Sequence, residues 1–266
     1  MKLMKLFLFS SALALVLALT NGCSTVPVTG RSQLNLVSPG QEMQLGLSAF
    51  DQLKQTTPVN HDPAVNAMVQ KVGKRIAAVA GQDMPDAQWE FVVFDSPEAN
   101  AFCLPGGKVG VYTGILPITK DEAGLATVIG HEVGHAVAHH GAERMSEEMV
   151  EQMGGQILGV TMSKSDPRVQ AAAQVAYGLT TQLGRELPHS RAQESEADHI
   201  GLIYMARAGY DPREAVQFWE RFMQYNAQHG GTSTFAFLRT HPTDETRIRQ
   251  LKQWLPEAEA QYKPAK

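Results

Sequence analysis

His131-Glu132-Val133-Gly134-His135 is the stretch on which the reading of this chain turns. On a helix, residues four apart lie about 40° from one another around the axis, so both imidazoles can meet one tetrahedral metal ion. Glu132 sits about 100° around the same turn, close enough to act on a water at that ion without ligating it. Two ligands and a general base make up most of a metallohydrolase site. The plain alternative is a pair of satisfied core histidines. Asp121-Glu122 before the apolar series Leu125, Val128, Ile129, Val133 and Val137 marks a capped helix with a buried face. Gly130 and Gly134 each cost such a helix about 1 kcal/mol relative to Ala, which points to close approach of another backbone or of substrate.

A hydrolytic site of this kind needs a third protein ligand. The extended motif with a Gly at the eighth position and a His at the eleventh fails, because Ala138 and Gly141 stand there. His139 stays near the metal face of a continuous helix and His140 points away, so both are read as packing or surface residues. The third ligand is sought in Ser190-Arg191-Ala192-Gln193-Glu194-Ser195-Glu196-Ala197-Asp198. Glu194 and Asp198 share a helical face and Glu196 points elsewhere. Glu194 can ligate while Asp198, one turn on, accepts the N–H of a ligating imidazole. A solvated acidic face is the alternative for this segment taken alone.

Together HEVGH, SRAQESEAD and the later His241-Pro242 resemble the M48 family of zinc metalloproteases, from about Val26 to Leu255. Pro27-Val28-Thr29-Gly30-Arg31-Ser32-Gln33-Leu34 is similar to the opening segment of its soluble, Oma1-like periplasmic lipoprotein branch. The resemblance implies an α+β fold: a mostly helical, zincin-like (gluzincin) metalloprotease domain with a small β-sheet whose edge strand borders the active site. It implies one Zn2+ held by His131, His135 and Glu194, with Glu132 as base and Asp198 behind a ligand. His241 would stabilise the tetrahedral intermediate or latch the open zinc position as a fourth ligand, and Arg247 would help stabilise the oxyanion. From local pattern alone, His241-Pro242 is a helix boundary and Arg247 a solvated residue.

Trp89–Phe94 reads as a strand, and Asn100–Leu104 and Val109–Tyr112 flank a Pro105-Gly106-Gly107 turn, which makes a hairpin. In the family the corresponding segment is an edge strand to which substrate adds. That role falls here on Lys108, Val109, Gly110 and Val111. Cys103 reads as a packed thiol. Helices are expected over Pro39–Gln55, Ala64–Val79, Arg168–Leu179, Glu196–Ala208, Pro212–Gln228 and Thr243–Trp254. Residues 145–187 form either a mobile lid or a helical hairpin bracing the site.

Residues 1–22 read as a signal peptide: Lys2 and Lys5 precede an apolar stretch, Leu6–Leu19, too short to span a bilayer comfortably. Gly22-Cys23 suits lipoprotein processing with Cys23 as the lipidated residue, although Thr20 stands where Leu is usual. The expected location is the periplasm, lipid-anchored to the outer membrane as Ser24 suggests, or else secreted and soluble in the periplasm. Without lipid on Cys23, a bridge to Cys103 stays open. The remaining divisions are a tether and N-terminal helix at 23–60, a peptidase domain at 61–256 and a tail at 257–266. A formal net charge of -4 without a basic cluster gives no nucleic-acid footprint. The expected activity is zinc-dependent endoproteolysis of misfolded or damaged cell-envelope proteins. The expected partners are unfolded polypeptide, a membrane met through the lipid and the outer-membrane assembly machinery. The alternative is an envelope chaperone or assembly factor with a structural or latched metal site.

Overall fold

Caps written in the sequence set four of the helix starts. In the computed structural model, which describes residues 23–182, 187–229, 241 and 245–264, Ser38, Asp62, Asp121 and Asp166 accept hydrogen bonds from first-turn backbone N–H groups. They open α1 (Pro39–Thr56), α2 (Pro63–Ala80), α4 (Glu122–Val137) and α6 (Pro167–Thr181), three of which also carry Pro in the first turn. A short α3 (Leu116–Thr119) precedes α4. The chain continues through α5 (His140–Thr161), α7 (Leu187–Arg207), α8 (Arg213–His229) and α9 (Glu245–Gln261).

Every residue of α4 from Gly124 to Val137 is buried. A helix apolar on all sides belongs in the centre of a core, and α4 lies between α7, α2 and the sheet. Its tightest neighbour is α7. A Cβ on Gly130 would meet the Gly201 carbonyl oxygen at 2.9 Å, and one on Gly134 would meet that of Ala197 at 2.8 Å. From the other side, a Cβ on Gly201 would meet the His131 backbone nitrogen at 2.7 Å. The two helices touch backbone to backbone, and the glycines of the HEVGH segment are there for that contact rather than for substrate.

The main sheet runs β3 (Glu90–Phe94), β5 (Lys108–Tyr112), β4 (Ala101–Leu104) across its width, with β3 parallel and β4 antiparallel to β5. Gly106 and Gly107, at φ 83° and 78°, make the turn between β4 and β5. This corrects the expected substrate strand. Lys108, Val109, Gly110 and Val111 belong to the central strand, paired on both sides, because β3 returns parallel to β5. Among the described residues β3 and β4 are the two edges, β3 bridged outward by Val59 and β4 unpaired on its outer side, and it is β4 that packs against α4. Cys103 on that strand is a free thiol.

A separate hairpin of β1 (Cys23–Thr25) and β2 (Ser32–Leu34) precedes α1, with Val26 buried in the core at its turn. Residues 1–22, the expected signal peptide, lie outside the described residues, as do the side chain of Cys23, residues 183–186, Thr240 and residues 242–244 around His241. Among the described residues no helix is long and apolar enough to cross a membrane. Helices α5 and α6 form a hairpin in which Tyr177 Oη donates to the Glu151 carbonyl. α6 buries no residue, and Met149, Met153, Ile157, Val160, Val169, Val175 and Leu179 are exposed. At the C-terminus the helix runs through Pro256 to Gln261 with Ala258 buried, so it passes the expected start of a tail at 257.

The backbone contact carries a test. Gly134→Ala adds helix propensity yet should lower stability by about 1–3 kcal/mol through overpacking, with a fall in metal affinity as α7 is pushed away. Denaturant unfolding and metal titration of Gly134→Ala and Gly201→Ala check both effects. Unchanged stability in both would mean that the approach is slack.

Candidate metal centre

Close packing of α4 on α7 puts the two motifs face to face. His131 and His135 project from α4 one turn apart, with their Nε2 atoms 3.2 Å from each other. Glu194 on α7 reaches into the same space: Oε2 lies 3.3 Å from His131 Nε2 and Oε1 3.2 Å from His135 Nε2. These separations suit a tetrahedral ion bound at about 2.0–2.1 Å, whose ligand–ligand edges are about 3.4 Å. Three basic atoms facing inward at this spacing repel one another unless positive charge lies among them. The donor set therefore fits a divalent metal.

His241 completes the cluster. Its Nδ1 is 3.2 Å from His131 Nε2 and 3.0 Å from each Glu194 oxygen, and all four residues are buried. The position is that of a fourth donor. Its other nitrogen, Nε2, lies 3.4 Å from Glu132 Oε1. That carboxylate oxygen is buried and has no hydrogen-bond partner. Burial pushes the Glu132 pKa up, against the pull of His241 and His131.

Behind the donors, Asp198 Oδ1 lies 2.9 Å from His131 Nδ1. Burial works against charge on His131, but its pairing with Asp198 and Glu194 prevails and raises it to about 9. His135 is shifted well below the usual value by burial, which the Glu194 contact offsets only in part. Burial likewise opposes charge on Glu194 and Asp198. The imidazoles of His131, His135 and His241 outweigh it for Glu194, and Arg247 with His131 for Asp198, so both stay ionised.

Arg247 is buried, not solvated as local pattern alone suggested. Its Nε and Nη2 donate to the two Asp198 oxygens at 2.7 and 2.8 Å, and Nη1 lies 3.2 Å from Glu194 Oε2. The guanidinium also stacks over Trp219, 4.2 Å from the ring centroid, and Trp219 in turn meets the His131 ring edge-on. It grips both α7 carboxylates at once.

Sequence reasoning missed His140. It assumed one continuous helix, but α4 stops at Val137 and His139 takes a left-handed conformation at φ 53°. That break starts α5 in a new direction and turns the His140 ring back, where its Nδ1 is 2.8 Å from His135 Nδ1. His139, expected near the metal face, instead pairs with Glu42 at 2.8 Å. The adjacent His-His pair and the following Gly141 were the only signals available. Cys103 is near enough to Glu132 to feel its charge, but burial is the chief reason its thiol pKa is pushed up.

The family described as Peptidase family M48 matches residues 63–255. The mitochondrial metalloendopeptidase OMA1 of Schizosaccharomyces pombe is 37% identical over 239 residues, covering 88% of this chain and 67% of its own. Its namesake in Saccharomyces cerevisiae is 30% identical over 252 residues, covering 89% and 70%. The Beta-barrel assembly-enhancing protease of Escherichia coli K12 is 27% identical over 234 residues, covering 87% of this chain and 47% of the relative. These relatives overturn the expected periplasmic location, whether anchored at the outer membrane through Cys23 or secreted. Five relatives at higher identity than the Escherichia coli protease are named for mitochondria, so resemblance to the family branch does not support that address. On the matched domain and the similarity to named metalloendopeptidases over 88% and 89% of its length, this chain belongs to peptidase family M48 and is a metal-dependent peptidase.

Proposed function

We propose that this peptidase is a zinc endopeptidase that cuts extended segments of unfolded or damaged polypeptide, serving protein quality control. The observation that carries it is Glu132, a buried carboxylate with an unsatisfied oxygen beside a ready-made donor cluster. A metal that only braced the fold would need no such group. His131, His135 and Glu194 would hold zinc, a choice that follows the nitrogen-and-carboxylate donor set and its tetrahedral edges. When bound, zinc acidifies a water and polarises the scissile carbonyl. Glu132 takes the proton from the attacking water and passes it to the leaving amine, a task suited by a pKa that burial has raised. The free edge of β4, Ala101–Leu104, would receive substrate backbone as an added strand, with little demand on side-chain identity. Asp198 and Arg247 keep the donors aimed.

A second reading, a chaperone or assembly factor with a filled metal site, draws support from His241, whose Nδ1 occupies the fourth donor position. A displaceable latch reconciles the two: the resting enzyme is closed by His241, and the imidazole, once moved aside, can stabilise the oxyanion. The Escherichia coli relative is named for both assembly and proteolysis.

With zinc loaded and unfolded casein as substrate, Glu132→Gln should lower kcat by about 10²–10⁴-fold, the span of general acid–base catalysis, with metal content unchanged. Equal cleavage by both proteins would sink the enzymatic assignment. His241→Ala should raise the initial rate on the same substrate by opening the fourth position. A loss of tenfold or more would instead make His241 essential to the transition state and remove the latch.

A further inference from the structure

The two candidate histidine ligands are supported differently. His131 meets the Asp198 carboxylate directly, and Arg247 clamps that carboxylate. His135 meets no carboxylate through Nδ1. Its partner is the fully buried His140, at 2.8 Å. His140 Nε2 lies 3.0 Å from Glu196 Oε2, and the same oxygen accepts Arg31 Nε at 2.7 Å. The Thr29 hydroxyl donates to the other Glu196 oxygen. Arg31 also forms a two-pronged pair with Glu143, at 2.7 and 2.8 Å. Thr29 and Arg31 come from the turn between β1 and β2, upstream of the residues matched to the family, 63–255.

Hydrogen-bond roles in this chain are forced. If His135 offers the Nε2 lone pair to a metal, its single proton sits on Nδ1 and must be donated to His140 Nδ1. His140 then carries its own proton on Nε2, which goes to Glu196. An ionised carboxylate only accepts, so Glu196 can also take the Arg31 and Thr29 protons. Both imidazole donors point outward from the metal, and Arg31 and Thr29 meet Glu196 from the far side. Both ligands thus end on an α7 carboxylate held by an arginine, one directly and one through an intervening imidazole. A carboxylate behind a ligating imidazole fixes its tautomer and raises its basicity.

We propose that His140, Glu196 and Arg31 are positioning residues for His135, so that the N-terminal hairpin forms part of the metal site's support. This rests on the assignment of His135 as a ligand. The rival explanation is that the same bonds merely pin residues 23–36 to the domain. Glu143 separates the two: it pairs with Arg31 from the other side and reaches His140 through its charge, whereas Glu196 takes the His140 hydrogen bond.

The test uses the full-length chain, with zinc Kd measured by competition against a chromophoric chelator and Tm measured on the metal-free protein. His140→Leu and Glu196→Gln should raise Kd by about 10–100-fold, the usual cost of removing support behind a ligand. Arg31→Gln should raise it less. Glu143→Gln should lower Tm while leaving Kd within about twofold. Glu196→Gln conserves volume and answers the question where His140→Leu disturbs packing. If Glu196→Gln leaves Kd unchanged, or Glu143→Gln weakens zinc as much as Glu196→Gln does, the relay is overturned. His135→Ala sets the frame: loss of zinc there with none in the relay variants overturns the relay alone, whereas unimpaired zinc binding overturns the ligand assignment as well.

Discussion

Two backbones in contact govern this molecule. Helices α4 and α7 meet where Gly130 and Gly134 face Gly201 and Ala197, with no side chain between them. Side chains on ordinary helix pairs hold the axes about 8–10 Å apart, and glycines at the crossing let them come nearer. His131 and His135 leave one helix, and Glu194 and Asp198 leave the other. Their mutual distances are set by that crossing, and glycine's poor helix propensity is the cost of holding it. The capped start at Asp121 and the enclosure of α4 on all sides supply the compensation.

A site of this composition concentrates charge in the core, which is expensive unless each group is paired. The pairing is thorough. Asp198 has an imidazole on one side and a guanidinium on the other, while Glu194 faces three imidazoles and the same guanidinium. Trp219 covers the guanidinium and touches the His131 ring, joining the polar centre to the apolar core. Glu132 is held more loosely: its buried Oε1 faces His241 Nε2 at 3.4 Å without a hydrogen bond. An unmet hydrogen bond at one carboxylate among so many satisfied ones marks the position where a reacting group would be received.

The parts legible in the sequence were those set by local spacing. Helical periodicity placed the two imidazoles on one face, and the same rule chose Glu194 and Asp198 over Glu196. Asp121-Glu122 marked the start of α4, and Pro105-Gly106-Gly107 marked the hairpin. Spatial order was not legible. Which hairpin strand lies at the edge depends on the distant β3 pairing with β5, and no local signal shows this. The His140 error came from extending helical geometry through His139, whose left-handed backbone is uncommon for a non-glycine residue though less so for His. Arg247 was given a role by resemblance, and only the fold shows its fork already engaged by Asp198. The cellular address failed for a different reason. It leaned on a short N-terminal pattern that lies apart from the chemistry of the folded domain.

On the proposed mode of substrate binding, the length of β4 has its own consequence. Four residues of strand, at about 3.4 Å each, offer roughly 13 Å of backbone on which a guest can be aligned. A guest must therefore surrender a comparable length of chain from whatever structure it holds. Well-folded proteins release such a stretch only by local opening, and the free energy of that opening would set how often they are captured. Selectivity of this sort resides in the substrate's own looseness: the enzyme would gauge conformational integrity without recognising any particular sequence.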